Sequence, residues 1–343
     1  MKYYTIEKQK IKNLFESLKN KYRIAGPTRK ENQYVINFLD SPEELILLHK
    51  PPILSLKKYY LPQEETLFSF KIENIKAETS NIDQTPLIIF GAHTCDIAGI
   101  LCLDNACGVN PIDKTFFKRK KNIIIIGIEC LEPCDEHATC ITMGTNNPKG
   151  GYDLMLTDIG EEYAIQINSP EGENLVNNYK FVFKDISDIE YKLSKNRQEK
   201  DEKWKKNLIP NHDEIGKILS KTKKNTLWDE IGKKCVSCGN CTNVCPTCYC
   251  FDVKDDIELN LKEGKRYRTW DSCQLKNFAE VAGGENFREE RKSRQQHRFF
   301  RKFLYCVEKY NRNFCVGCGR CTRACMAKIN LYETINSLAK ENI

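Results

Sequence analysis

The chain has 343 residues, 40% hydrophobic and 29% charged, with a formal net charge of +7. At about 150 residues per domain this predicts two or so domains. The longest aliphatic run, Ile123–Ile128 interrupted by Gly127, is far short of the roughly 20 residues of a membrane helix, so no transmembrane segment is expected. The N-terminus mixes Lys with Glu and has no apolar signal core, which predicts a cytoplasmic protein. The isoelectric point of ≈ 8.5 is below the values above about 9 that mark a nucleic-acid-binding domain, so no nucleic-acid partner is expected.

Residues 1–185 are expected to form an α/β domain. Ile6, Ile11, Leu14, Phe15 and Leu18 recur at helical spacing and predict an amphipathic opening helix. Tyr34–Leu39 reads as a strand, and Pro51-Pro52 ends what precedes it. Pro86–Phe90 and Asn122–Ile128 are short, continuously apolar strands flanking a helical stretch at Asp96–Asn105. Strand, helix, strand is a βαβ unit whose strands run parallel. Asp153–Ile167 reads as further strand with a turn at Gly160. Residues 186–226 are rich in Lys, Glu and Asp and read as a charged linker or exposed helix. Residues 227–343 are expected to be a mostly helical dicluster ferredoxin-like domain, including an amphipathic helix over Glu289–Tyr310. The fold class expected for the whole is α+β.

Cysteine carries the main chemical signal. The 18 cysteines exceed what a reduced cytosolic chain needs for packing, and disulfides are disfavoured there. They lie in three islands: six from Cys95 to Cys140, seven from Cys235 to Cys273 and five from Cys306 to Cys325, with none before residue 95. Cys235-x2-Cys238-x2-Cys241-x3-Cys245-Pro246 recurs as Cys315-x2-Cys318-x2-Cys321-x3-Cys325. Such runs ligate [4Fe–4S] clusters, with the fourth Cys serving the other cluster. The sets are then Cys235, Cys238, Cys241 and Cys325 for one cluster, and Cys315, Cys318, Cys321 and Cys245 for the other. Structural zinc favours two CxxC pairs separated by a loop, which this doubled spacing does not resemble. Met326 stands where a proline usually follows the fourth Cys.

Cys95 and Cys130 each follow a strand of the βαβ unit. In a parallel sheet both fall at the carboxyl edge, where ligands bind. Cys134 and Cys140 follow in the next loop, and the four together predict a third iron–sulfur cluster. His93 and His137 are alternative ligands, since imidazole replaces thiolate in some clusters. Cys102, Cys107 and Cys306 read as packing residues, and Cys248, Cys250 and Cys273 as neighbours of the first cluster or ligands of something extra. The nine Lys and Arg from Arg288 to Arg312 read as a solvated helix face or a surface for an acidic redox partner. No P-loop, GxGxxG or Ser/His/Asp arrangement is present, so no catalytic residue is expected.

The motifs CDIAGI, MGTNNPKGGYDLMLTDIG, CPTCYCFDV, RTWDSC, VAGGENFR and CVGCGRC resemble the dicluster beta subunits of soluble NiFe (sulf)hydrogenases. They are similar also to the corresponding iron–sulfur component of anaerobic sulfite reductase. The resemblance covers roughly residues 85–325. It implies an electron-transfer subunit of a hetero-oligomer, placed between a flavin-binding, diaphorase-like subunit that oxidises NAD(P)H and a catalytic subunit of hydrogenase or sulfite/sulfur reductase type. It also implies ligation by Cys95, Cys130 and Cys140. Relatives commonly end the loop in Cys-x-Cys where this chain has Ala138-Thr139-Cys140, so Cys134 would supply the displaced ligand. The alternative from another class is a redox sensor that reads its clusters, which needs an effector element that the sequence does not display.

Overall fold

The structure is a computed structural model that describes residues 3–73, 76–79, 81–186, 189–204 and 210–340. In chain order the strands are β1 (Tyr3–Glu7), β2 (Arg23–Lys30), β3 (Gln33–Phe38), β4 (Glu64–Lys71), β5 (Lys76–Thr79), β6 (Leu87–His93) and β7 (Ile123–Ile128). They continue with β8 (Leu154–Asp158), β9 (Glu162–Ile167), β10 (Lys184–Asp185), β11 (Phe251–Ile257) and β12 (Glu263–Trp270). Among the described residues they form an eight-stranded sheet, ordered β10-β1-β9-β8-β7-β6-β2-β3, and a four-stranded sheet, β11-β12-β4-β5.

The middle of the large sheet is parallel: β2 pairs with β6, β6 with β7 and β7 with β8. Helix Thr94–Cys107 leads away from β6 and helix Lys114–Lys121 feeds β7, so the predicted βαβ unit is present. Side chains alternate across a strand. Ile88 and Phe90 accordingly join a core with the opening helix Ile11–Lys19, whereas Leu87 and Ile89 join one with Ile97, Ile100 and Leu103 of helix Thr94–Cys107. Cover on both faces explains why β6 and β7 are uninterrupted apolar runs rather than alternating ones. Ile6 belongs to β1 and not to the opening helix.

Two expectations are refined. Of the two readings of residues 186–226, the described residues show helix rather than linker, and the helices are not wholly exposed. Helix Ile189–Lys203 buries Ile189, Leu193 and Lys200, and helix His212–Lys221 buries Ile215 and Leu219. Lys200 is fully enclosed, where its ammonium binds the Glu129 carboxylate at 2.9 Å and the Asn146 carbonyl at 3.1 Å. A long apolar stem and a paired head let a lysine enter a core that its charge alone would forbid. The second concerns the C-terminal part, expected to be mostly helical, which also contributes two strands. Its hairpin β11–β12 adds to β4 over seven register pairs from Glu263↔Lys71 to Thr269↔Glu64. The small sheet is therefore built from residues nearly two hundred positions apart. Arg268 of β12 fastens this join, reaching Glu65 at 2.7 Å and Asp113 at 2.6 Å.

Candidate metal centres

The two cysteine runs have the same backbone. Cys235 ends helix Leu227–Lys234, and Ser237 and Gly239 then take left-handed conformations before the short helix Asn240–Asn243 that carries Cys241. Gly317 and Gly319 repeat those two turns at the equivalent positions, ahead of helix Arg320–Arg323 with Cys321. These left-handed residues curl the chain into a loop, with Cys235 and Cys241 of the first run buried and Cys238 exposed. Cys241 has Cys235, Cys325 and Cys321 as electrostatic neighbours, and Cys315 has Cys321, Cys318 and Cys245. Each run therefore approaches the fourth cysteine of the other. Cys241, Cys245, Cys315, Cys318 and Cys321 line one shared cavity.

Buried cations surround these thiols. Arg298 and Lys302 line the same cavity, and Arg320 is fully enclosed beside Cys95 and Cys318. Burial opposes the charge of Arg298 and Lys302, yet the thiolates of Cys241 and Cys321 for the one, and of Cys245 and Cys248 for the other, hold both above their ordinary values. Arg298 Nη2 has no hydrogen-bond partner, an orphan in a protein interior that calls for a negative group in the cavity. Burial meanwhile pushes the Cys241 thiol up to about 12 and Cys318 to about 11. Such thiols become thiolates at neutral pH when a metal displaces the proton. Soft donors in sets of four, hydrogen bonds to sulfur and a cationic shell fit cubane clusters. Gln295 Nε2 donates to Cys235 Sγ at 2.9 Å, the Ser237 N–H to the same sulfur at 3.4 Å, and the Ile329 N–H to Cys325 Sγ at 3.2 Å.

The N-terminal cysteines also meet. Cys95 stands in the first turn of helix Thr94–Cys107 and Cys130 just beyond β7, both at the carboxyl edge of the parallel strands. Among the described residues His93, Cys130 and Cys134 place their ligand atoms within 4.8 Å of one another. Cys95 and Cys140 are electrostatic neighbours of Cys134. His93, backed by His49 at 2.8 Å between ring nitrogens, is the imidazole within reach. His137 lies instead on the wall of the cavity lined by the second cysteine run. Cys102 and Cys306 share an apolar cluster with Phe314, and Cys107 is buried in the core beneath the sheet.

Arg320 joins the N-terminal group to the second run. It reaches the Cys95 sulfur at 3.7 Å, the Asp96 carboxylate at 2.7 Å and the Pro52 carbonyl at 2.7 Å. The residues that sequence reasoning missed are these cations, with Gln295 and His49. Their signal was present: Arg294, Arg298 and Lys302 recur every four positions, one face of a helix, and all three are buried. The stretch Arg288–Arg312 is therefore not simply a solvated face.

The fold and the doubled cysteine loops define a dicluster iron–sulfur protein, and residues 234–329 match the model of the 4Fe-4S dicluster domain. The chain is 33% identical over 341 residues to sulfhydrogenase 2 subunit beta of Pyrococcus furiosus, covering 98% of each protein. It belongs to the sulfhydrogenase beta-subunit family and is an iron–sulfur electron-transfer subunit. No solved structure matches the chain significantly. Among the described residues no helix is long and apolar enough to cross a membrane.

Proposed function

We propose that the chain relays single electrons between two partners within a cytoplasmic hetero-oligomer. One partner is a flavin-binding, NAD(P)H-oxidising subunit; the other is a catalytic subunit of the hydrogenase or sulfite/sulfur reductase type. Three [4Fe–4S] clusters would supply the redox chemistry when bound. Cys235, Cys238, Cys241 and Cys325 hold the first, Cys315, Cys318, Cys321 and Cys245 the second, and Cys95, Cys130, Cys134 and Cys140 the third. The observation that carries this reading is the line of buried cations between the cysteine groups. Arg320 sits between the third set and the second, and Arg298 between the second and the first. Fixed positive charge offsets the negative charge of each thiolate set, and in a low-dielectric interior it acts strongly.

On this reading the relay has an order. The third set adjoins the second through Cys95 and Cys318, and the second adjoins the first through Cys321 and Cys241. Cys238 of the first set is exposed, unlike its equivalent Cys318, so the first set is where a partner's redox centre comes nearest. The fourth ligand of the third set is a thiol or the imidazole of His93. Anaerobically purified protein should contain about twelve iron and twelve sulfide, and Cys130→Ser about eight of each, for four-iron clusters. Stoichiometric zinc without acid-labile sulfide would overturn the reading as a whole. An unchanged iron count in Cys130→Ser would remove the third cluster alone.

A further inference from the structure

His93 is 5% exposed and stands where β6 ends and helix Thr94–Cys107 begins. A polar residue in that position usually turns its side chain onto the first free N–H groups of the helix; the His93 ring makes no such bond. Its Nε2 meets Nδ1 of His49 at 2.8 Å instead. Its Nδ1 is buried and, among the described residues, has no hydrogen-bond partner. Protein interiors rarely leave a ring nitrogen bare. An imidazole fixed at one nitrogen and open at the other is how a metal-ligating histidine is held. The open nitrogen has soft donors for company, since His93, Cys130 and Cys134 place ligand atoms within 4.8 Å of one another.

Donors here outnumber the places for them. Cys95, Cys130, Cys134 and Cys140 already offer four thiols to the third cluster, and His93 is a fifth donor for the four irons of a cubane. Cys130 and Cys134 share the point with the imidazole; Cys95 and Cys140 do not belong to that close group.

We infer that His93 is a ligand of the third cluster through Nδ1, beside Cys130 and Cys134, and that only one of Cys95 and Cys140 completes the set. This rests on the reading above that a third cluster is present. With Nδ1 given to iron, the ring proton lies on Nε2 and is donated to His49 Nδ1. His49 is then a positioning residue, which fixes the tautomer and the plane of the His93 ring. The Tyr34 ring in turn stands edge-on to His49, with centroids 5.9 Å apart. An imidazole is neutral where a thiolate is negative, so this ligand set carries one negative charge fewer than four cysteines. Replacing thiolate by imidazole raises the reduction potential of an iron–sulfur centre.

The test uses the full chain, purified anaerobically with its iron, with and without nitrogen-15-labelled histidine, and reduced. Pulsed electron paramagnetic resonance should show a nitrogen coupling on one cluster that changes with the label. His93→Cys should abolish that coupling, keep about twelve iron for four-iron clusters, and lower the midpoint potential of one cluster. His137→Ala should leave the coupling as it is. His49→Phe should keep the coupling but weaken the hold on four iron about 10–100-fold against a chelator, and His49→Gln, whose amide oxygen accepts from Nε2–H, should restore it. Of Cys95→Ala and Cys140→Ala, one alone should lose about four iron. About twelve iron with no histidine coupling in the wild type would overturn the ligand assignment and leave the cluster standing. So would a coupling that survives His93→Cys, or iron loss in both alanine variants or in neither. A wild type with only about eight iron would remove the third cluster itself.

Discussion

Ser237 and Gly317 occupy the same place in the two cysteine runs, both with left-handed backbone, yet only one has room for a side chain. A Cβ at Gly317 would lie 2.4 Å from the Cys140 nitrogen, because the loop carrying the third cysteine set is pressed onto the second run. The Thr139 N–H donates to the Gly317 carbonyl there at 2.7 Å. Gly317→Ala should unseat that loop and lower bound iron by about four atoms, one cubane. Gly283→Ala, where a Cβ meets nothing within 4 Å, should leave the iron count unchanged. Arg320 offers a second test. Arg320→Met leaves Asp96 buried and unpaired, which costs about 3–5 kcal/mol, and thermal unfolding should show it. Adding Asp96→Leu should recover most of that loss. In Arg320→Met the proposed third cluster should become harder to reduce in a potentiometric titration, because a neighbouring positive charge has gone, and adding Asp96→Leu should reverse most of that shift by removing the paired negative charge. The pairing of Arg320 with Asp96 was illegible in the sequence, where 224 positions separate them. The two C-terminal cysteine runs were legible because the spacing of a dicluster domain is local in sequence.

At the scale of elements, spacing and periodicity found β3, β6, β7, the β8–β9 hairpin, the opening helix, the crossover helix and the helix at Arg291–Phe300; the terminal helix Leu331–Lys340 was not foreseen. They did not find that β4 pairs with β12. Nothing in Glu64–Lys71 or Glu263–Trp270 specifies the partner, and strand register is set by the tertiary context. The charged composition of residues 186–226 likewise hid Leu193, Ile215 and Leu219, whose burial decides where those helices pack. The β4–β12 join makes a testable claim about truncation. Residues 227–343 expressed alone should aggregate, since β12 would expose an unpaired edge next to the exposed Val253, Ile257 and Leu259 of its hairpin. Soluble, monomeric fragment in size-exclusion chromatography would count against this. In the whole chain, Arg268→Met should leave Asp113 without its ion-pair partner while Glu65 keeps Arg119 at 2.6 Å, a loss of about 3–5 kcal/mol at most, seen first as faster hydrogen exchange in residues 263–270.

At the scale of the molecule the cysteine sets differ in exposure chiefly at one position: Cys238 is exposed, and every other cysteine of the three sets is buried or half-buried. The third cysteine set lies under the sheet edge and the second run, the second set is lined by Arg298 and Lys302, and the first set ends at exposed Cys238. Ferricyanide should therefore degrade the clusters in sequence. The first set should yield first and the third last, followed as iron release and by the electron paramagnetic resonance of the oxidised products. Simultaneous loss would mean that accessibility does not set the order. The same contrast in exposure accounts for the asymmetry after the fourth cysteine of each run. Pro246 packs against Gly99, where an added Cβ would come within 2.6 Å of it, whereas Met326 is exposed. The proline is used where the turn must fit beneath a helix, and its absence at 326 follows from open space.

Arg320 and Arg323 reach back to the carbonyls of Pro52 and Pro51, across 268 and 272 residues. On the ribosome, at about 5–20 residues per second, the N-terminal half must wait on the order of ten to fifty seconds for these two guanidinium groups. Over the later part of that interval, once residue 134 is made, Cys95, Cys130 and Cys134 are present but the arginines that cover them are not. The nascent chain is then a set of uncapped thiols, open to adventitious metals and to oxygen, and its protection falls to whatever accompanies it during synthesis. A ribosome stalled between residues 185 and 320 would release a product with the strands of its large sheet and its N-terminal cysteines but without the closing arginines. Such a product could be recognised by quality control through the very thiols that the finished molecule conceals.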